Sequence, residues 1–383
     1  MAIYGFGATA LSLSTTATAP AVPSSSEFKW STDQVAQKDR FDHWRTVRAK
    51  GLFGATAELE REQRPQFFGE FSLRKIGSAS VVELRASSYQ VERSAADIAN
   101  APSDSLCIYQ QLGGDGWFRL NDTDDFTVAN GGFATSHSDL RYRTAPLNAA
   151  GFDLRILKVP VADITLPNTG LRDLVPRPFG NVAFLTPLLE SCFSDLSEIG
   201  DGSDPMAAKA LVQTLTRLAL VERGIVGANS RAAQYAVRAG RLSLAKRLIA
   251  RHLAEPQLSA SFVAALLGIS VRHLHVLFEE GSMSFSSSVT ALRIARSRRL
   301  LREAPAMKVA AIAFASGFDS LATFYRVFRA AEGITPGDFR MATIRQTAQA
   351  SGDHSNHTAP ALNGAPEGEF SSVRRINAQR PAG

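Results

Sequence analysis

Two stretches of the chain repeat one pattern. Phe262-Val-Ala-Ala-Leu-Leu-Gly-Ile-Ser270 leads into Val271-Arg-His-Leu-His-Val-Leu-Phe278, and Val309-Ala-Ala-Ile-Ala-Phe-Ala-Ser-Gly-Phe318 leads into Asp319-Ser-Leu-Ala-Thr-Phe-Tyr-Arg-Val-Phe328. Each has a short apolar helix, a glycine suited to positive φ at the turn (Gly268, Gly317), and a second helix opened by a capping side chain. Ala264 and Ala313 let the two helices approach closely. Leu274 with Phe278, and Phe324 with Phe328, recur at the i, i+4 spacing that faces a core. This is a tandem helix-turn-helix, and a chain with two such units is built to read DNA. The step from turn glycine to terminal phenylalanine is one residue longer in the second copy, so the turns differ slightly.

Between the copies, Phe285 to Glu303 reads as one uninterrupted helix, with Leu292, Ala295, Arg296 and Arg299 at helical spacing and Pro305 ending it. Such a helix spans roughly 28 Å at 1.5 Å per residue. A rigid strut of that size is expected to hold two reading helices for successive major-groove segments about 34 Å apart, hence an asymmetric site read by one chain.

The second copy, Ile312-Ala-Phe-Ala-Ser-Gly-Phe318 through Phe324-Tyr-Arg-Val-Phe-Arg329 and Gly333-Ile-Thr-Pro-Gly-Asp-Phe-Arg340, resembles the signature of AraC/XylS-type transcriptional regulators. The resemblance covers Leu244 to Thr343. Thr335-Pro336 is also sound helix-start chemistry, with an N-cap hydroxyl and proline at the first helical position. The resemblance implies a seven-helix bipartite domain that activates or represses promoters, often by touching RNA polymerase. It places the base-reading positions on Arg272, His273, His275 and Val276 in the first unit and on Leu321, Ala322, Thr323 and Arg326 in the second, with Ser270, Ser320 and Arg329 as phosphate contacts. The family often has arginine where this chain has Val276, and Leu321 and Ala322 cannot form bidentate hydrogen bonds. Arg326 is therefore the expected guanine reader.

Charge is distributed accordingly. Residues 231–346 hold 17 Lys or Arg against 7 Asp or Glu, a balance of +10 in a chain whose total is +6, which leaves the remainder at −4. Basicity gathers where DNA would lie. Arg293, Arg296, Arg298, Arg299 and Arg302 are expected to add phosphate contacts; the alternative is a solvated helix face.

A length of 383 residues with 45% hydrophobic composition allows two domains with real cores. The first 26 residues have no Lys or Arg ahead of a mildly apolar run, unlike a secretory signal peptide, and are read as a flexible tail. Polar composition from about Gln346 onward suggests disorder to the C-terminus. There is no uncharged apolar run of membrane-spanning length, and the two cysteines, Cys107 and Cys192, stand far apart; a reduced, cytoplasmic protein without membrane contact is expected. A break at Glu198-Ile-Gly-Asp-Gly-Ser-Asp-Pro205 precedes an amphipathic helix, Met206 to Val221.

Residues 65–160 have the texture of antiparallel strands: Phe71–Ile76, Ser80–Leu84, Ser105–Tyr109, Trp117–Leu120 and Phe152–Leu157, with turns at Gly113-Gly-Asp-Gly116 and Asn130-Gly-Gly132. Phe41-Asp-His-Trp-Arg45, Tyr109-Gln-Gln-Leu-Gly113 and Asn130–Gly132 resemble the cupin-like effector domain of one branch of the same family. That likeness implies a small-molecule sensor whose flanking helix, 206–221, makes a homodimer; the leucines of that helix serve equally well as core. Arg85, Arg119, Arg141 and Arg143 with Tyr89, Tyr109, Trp117 and Phe126 offer a carboxylate clamp and aromatic walls, and Arg85, Tyr109, Trp117, Arg119 and Arg141 are the candidate effector contacts.

Catalytic signals are sparse. Gly5-Phe-Gly7 precedes no strand, there is no P-loop or Gly-x-Ser-x-Gly turn, and His43 and His137 are too few for a cupin metal set. His273-Leu-His275 lies on a reading helix, where i, i+2 side chains diverge. No catalytic residue, metal or cofactor is assigned. The expected architecture is α+β and multidomain: a tail (1–27), an antiparallel cupin-like β-barrel with flanking helices (28–200), a helical dimerisation or linker region (201–240), an all-α bipartite helix-turn-helix domain (244–343) and a second tail (346–383). The expected function is an effector-responsive DNA-binding regulator. The competing classes are an enzymatic or ligand-binding barrel with an accessory DNA-binding tail, and a non-specific DNA binder.

Overall fold

The computed structural model describes residues 27–353 except 48–52, 121–123, 148–150, 165–173, 181, 200–203 and 280–282, with side chains described to Gln346. The expected first tail up to residue 26, the Gly5-Phe-Gly7 stretch within it, and the second tail beyond Asp353 lie outside these residues. The chain forms two compact bodies, one of residues 1–252 with 257–289 and one of residues 253–256 with 290–383.

The first body is built on antiparallel strands with period-2 burial. Strands β1 (Glu27–Ser31), β3 (Gly69–Ile76), β4 (Ala79–Ala86), β6 (Ser105–Gln111), β9 (Phe133–His137), β11 (Phe152–Pro160) and β12 (Arg177–Pro178) form one sheet in the order β1-β3-β4-β11-β6-β9-β12. Strands β2 (Thr56–Glu58), β5 (Gln90–Arg93), β7 (Gly116–Leu120), β8 (Asp124–Val128) and β10 (Tyr142–Pro146) form a second sheet, β2-β5-β10-β7-β8. The five strand runs read from sequence all appear; β1, β2, β5, β8, β9, β10 and β12 carry too short or too mixed a pattern to stand out alone. Glu27, expected in the tail, begins β1 and pairs with Arg74. Both glycine-rich turns carry the chain from one sheet to the other, since β6 and β9 belong to the larger sheet and β7 and β8 to the smaller.

Alternation gives the larger sheet two buried faces. Val82, Leu84, Cys107, Phe152, Leu154 and Ile156 join the core shared with Val91 of the smaller sheet and with Phe41 and Trp44 of α1 (Arg40–Trp44), the helix expected from Phe41–Arg45. Val81, Leu106, Ile108, Leu157 and Val159 face the other way, against α3 (Leu185–Glu198) and α4 (Pro205–Glu222). The leucines expected either to dimerise or to pack are resolved by this layer: Leu215 and Leu218 of α4 are fully buried in the core of this body. A short helix α2 (Ala95–Asn100) is closed by a capping box between Ser94 and Asp97.

Helices α5 (Arg231–Arg251), α6 (Ala260–Leu266) and α7 (Val271–Glu279) complete this body. Helix α8 (Phe285–Glu303) has the bounds read from sequence; its buried residues are Phe285, Ser288, Val289, Ile294, Ser297 and Leu301, with Ala295 and Arg299 exposed. The second body holds most of α8 with α9 (Val309–Ala315), α10 (Leu321–Glu332) and α11 (Pro336–Asp353) around Ile294, Leu301, Ile312, Phe318, Phe324 and Phe328. Thr335 caps α11: its hydroxyl accepts the Asp338 N–H at 3.2 Å and donates to the Asp338 carboxylate at 2.6 Å. Helix α11 continues past Gln346 to Asp353, so the expected tail begins as helix; the alanines and glutamines there are good helix formers despite their polarity.

Candidate functional site

The two helix-turn-helix units share one turn. Ile269 N–H donates to Ala264 O at 3.0 Å and Phe318 N–H to Ala313 O at 3.1 Å; Gly268 N–H donates to Ala265 O at 3.1 Å and Gly317 N–H to Phe314 O at 2.9 Å. Gly268 and Gly317 have φ of 63° and 91°, the left-handed region where a Cβ costs energy. Ala264 and Ala313 are buried at the helix contact. The extra residue of the second unit falls between glycine and cap: one residue, Ile269, separates Gly268 from Ser270, whereas Phe318 and Asp319 separate Gly317 from Ser320. Ser270 Oγ accepts the His273 N–H at 3.1 Å and Ser320 Oγ the Thr323 N–H at 3.4 Å, so each reading helix starts on a serine cap.

Burial sorts the faces of the reading helices. Leu274, Leu277 and Phe278 anchor α7, and Phe324 and Phe328 anchor α10, where ring pairs Phe318–Phe324 (5.1 Å) and Phe324–Phe328 (5.5 Å) fill the core. Each buried phenylalanine contributes about 1.5 to 3 kcal/mol. All eight sequence-assigned positions, Arg272, His273, His275, Val276, Leu321, Ala322, Thr323 and Arg326, lie on the exposed sides, as do Ser270, Ser320 and Arg329. Among the described residues, neither Arg272 nor Arg326 has an ion-pair partner. Aligned on their caps, the helices set Tyr325 opposite His275, and Tyr325 is 43% exposed. Sequence reading passed over Tyr325; counting from the cap serine instead of the glycine would have found it.

The arginines of α8 are mostly engaged within the second body. Arg293 lies over the Phe318 ring (5.9 Å), and Arg298 and Arg302 over Phe339 (6.0 and 5.2 Å). Arg298 also pairs with Glu332 at 3.4 Å and Arg299 with Glu303 at 3.8 Å. Burial lowers the pKa of Arg293, an attraction to Asp319 offsetting part of the effect. The expected row of phosphate contacts is thus, for Arg293, Arg298 and Arg302, a set of packing contacts whose long stems cover the aromatic core, while Arg299 lies exposed in a surface pair.

The β-sandwich encloses a narrow cavity of about 30 Å³, lined chiefly by Tyr109, Gln111, Phe118, Tyr142, Thr144 and Phe152. Of the five candidate effector residues, only Tyr109 reaches it. Arg85 is exposed and pairs with Glu70 at 3.4 Å and Asp153 at 3.8 Å. Arg119 donates twice to Asp125, at 2.7 and 2.8 Å, and its guanidinium lies over Trp117 at 5.0 Å. Arg141 is exposed, and Arg143 pairs with Glu92 at 3.3 Å. Strand parity is the reason: Trp117 and Arg119 lie on the face of β7 opposite Phe118, and Arg85 lies between the inward Leu84 and Ala86 of β4. The arginine clamp is not assembled at this cavity, but Arg85 lines, with Trp30, Phe71 and Arg155, an open cavity of about 340 Å³ on the same body. Phe118, Tyr142 and Thr144 were missed, and only the same alternation, counted in register across strands, would have signalled them. Burial keeps the Tyr109 hydroxyl protonated, its pKa raised well above the ordinary value; Ser136 donates to it at 3.2 Å.

Both cysteines are buried, and loss of solvent pushes their thiols up, Cys192 to about 12. Neither supplies a thiolate nucleophile at neutral pH. No single described helix is long and apolar enough to cross a membrane.

A family described as "Helix-turn-helix domain" matches residues 263–342. The HTH-type transcriptional regulator GlxA of Rhizobium meliloti (strain 1021) is 37% identical over 87 residues, 22% of this chain and 26% of that protein. The transcriptional activator NphR of a Rhodococcus species is 26% identical over 299 residues, 74% of this chain and 84% of that one. The chain therefore spans about a quarter of GlxA but most of NphR. Among solved structures, the AraC-like transcriptional activator CuxR aligns with a TM-score of 0.45 at 17% identity, over 76% of this chain and 99% of CuxR. The domain match, the two regulators and the two capped helix-turn-helix units together show a helix-turn-helix domain of the AraC type in the C-terminal part of the chain, which is similar there to transcriptional regulators.

Proposed function

We propose that the chain binds promoter DNA sequence-specifically through α7 and α10 and changes transcription in response to a small molecule held between its β-sheets. The observation that carries the DNA reading is the sorting of both helices: every assigned base-reading position is exposed while the opposite side is locked into a core. Arg326 is the guanine reader; Arg272, His273, His275 and Thr323 supply further polar contacts, and Val276, Leu321 and Ala322 offer apolar contact to thymine methyls. Ser270, Ser320 and Arg329 contact phosphates, a role the cap geometry leaves open, since each serine hydroxyl that accepts an N–H still has a proton to donate. Activation is the favoured mode, in line with the name of NphR, by contact with RNA polymerase and as a homodimer in the cytoplasm. The test is the ratio of affinities for upstream DNA of the neighbouring genes and for random duplex at one salt concentration. A ratio near one removes sequence-specific regulation and leaves a non-specific binder.

For the effector, the cavity lining supports an uncharged aromatic molecule, oriented by the Tyr109 hydroxyl and walled by Phe118, Tyr142 and Phe152. At about 30 Å³ the space holds little more than one water, so a ligand enters by displacing side chains. A thermal-shift screen of neutral aromatics against aromatic carboxylates checks this; stabilisation by the carboxylates alone would restore an arginine clamp.

A further inference from the structure

Helix α5 has two buried faces. At 100° per residue, Ala233, Ala236, Gly240, Ser243 and Arg247 fall on one side, and Arg238, Ala245, Ile249 and His252 at its end fall on the opposite side. The first side packs on α3 and α4, the helical layer that covers the larger sheet and is the sensing layer on the function proposed above. Ala233 and Ala236 join its core, and a Cβ on Gly240 would lie 3.0 Å from that of Leu188, so α5 and α3 approach closely there. A polar chain then locks the contact: Ser191 donates to Ser243 at 2.6 Å, Ser243 to Asp195 at 2.5 Å, and Arg247 to Asp195 at 2.8 Å and Glu198 at 2.7 Å. Ser191 and Ser243 are buried, which raises the cost of breaking any link.

The second side carries the first reading unit. Helix α5 contacts both α6 and α7; His252 meets the Phe262 ring edge-on at 5.0 Å, and Ala245 and Ile249 are fully buried. Arg238 Nη2 donates to Val276 O at 3.1 Å. Val276 is in the last turn of α7, whose carbonyls have few partners within the helix, and a cation is favoured at that end of the helix dipole. One helix thus forms part of both the sensing layer and the scaffold of the first reading unit, with no linker between them.

We propose that Arg247 and Arg238 are positioning residues for DNA reading by α7: Arg247, through Asp195 and Ser243, sets α5 on the sensing layer, and Arg238 sets α7 on α5. The proposal rests on the reading of DNA by α7 put forward above. On this arrangement the sensing layer governs the first reading helix directly.

The test uses the full chain. A duplex is selected from a random library, the half read by α7 is identified as the one where R272A relaxes base preference, and affinities are measured for single-base substitutions in both halves. R247M, R238M and S243A are expected to lower discrimination in the α7 half by about 2- to 30-fold, leave the other half unchanged, and alter random-DNA affinity much less. R247K should restore most of the loss. S243A removes no charge, so its effect cannot come from phosphate contacts, and it is the mildest of the three for folding. Discrimination preserved in all three variants, or lost evenly from both halves and from random DNA, overturns the proposal. If the wild-type chain selects no duplex, the DNA reading itself fails and this proposal falls with it.

Discussion

At the scale of single residues, the turn glycines and the exposed arginine of α10 make the sharpest statements. Gly268 and Gly317 occupy the same turn, but their surroundings differ. A Cβ on Gly268 would meet nothing within 4 Å, whereas one on Gly317 would collide with the Leu253 carbonyl and lie 2.9 Å from Arg293 Nε. Gly268→Ala is expected to cost about 1 to 2 kcal/mol from left-handed backbone alone. Gly317→Ala should cost clearly more, because a backbone carbonyl has to move as well. Chemical denaturation of the two variants side by side checks the order, and equal losses would show that the turn relaxes freely. Arg326→Ala should cost about 1 to 3 kcal/mol of specific binding and relax preference at one base pair; an equal loss on random DNA would mark Arg326 as a phosphate contact.

At the scale of elements, the structure depends on polar ties between strands. Arg93 of β5 is nearly fully buried, and its guanidinium donates to Ser138 O at 2.6 Å, Ala101 O at 2.9 Å and Asp139 at 3.0 Å, linking the smaller sheet to the end of β9 in the larger. Burial would raise the Asp139 carboxyl, but the Asp104 and Ser103 N–H groups, Arg93 and Ser138 outweigh it and hold the pKa below the ordinary carboxylate value. A carboxylate depressed in the folded state contributes stability that is complete above its unfolded pKa of about 4 and is lost as pH falls through the folded value. Asp139→Asn should therefore destabilise by about 2 kcal/mol at neutral pH, with the gap to wild type closing below about pH 4. A gap that stays constant into that acid range would exclude ionised Asp139 as the source. Helix limits, by contrast, follow local chemistry: the bounds of α8 and the serine caps of α7 and α10 were readable because each is encoded within a few consecutive residues.

At the scale of the whole molecule, each body has its own core. The three tryptophans, Trp30, Trp44 and Trp117, all lie in the first body, while Phe324 and Phe328 fill the core of the second. Phe328→Ala should remove about 3 to 5 kcal/mol from the second body. The expected result is an earlier loss of part of the helical circular dichroism on heating, with the tryptophan fluorescence transition unmoved. Both signals shifting together would mean that the bodies unfold as one.

Taken by itself, the sequence determined that two helix-turn-helix units exist, where their turns and caps lie, and that an antiparallel β-region precedes them. Those features rest on periodicity and capping, which act over a dozen neighbouring residues. Only the tertiary structure decided which arginines are free and which are paired, that Trp117 and Arg119 lie on the face of β7 opposite the cavity residue Phe118, and that α5 is buried on both sides. Those outcomes depend on partners such as Asp195 for Arg247 and Asp139 for Arg93, separated by dozens of residues and brought together only when sheet register and helix packing are complete.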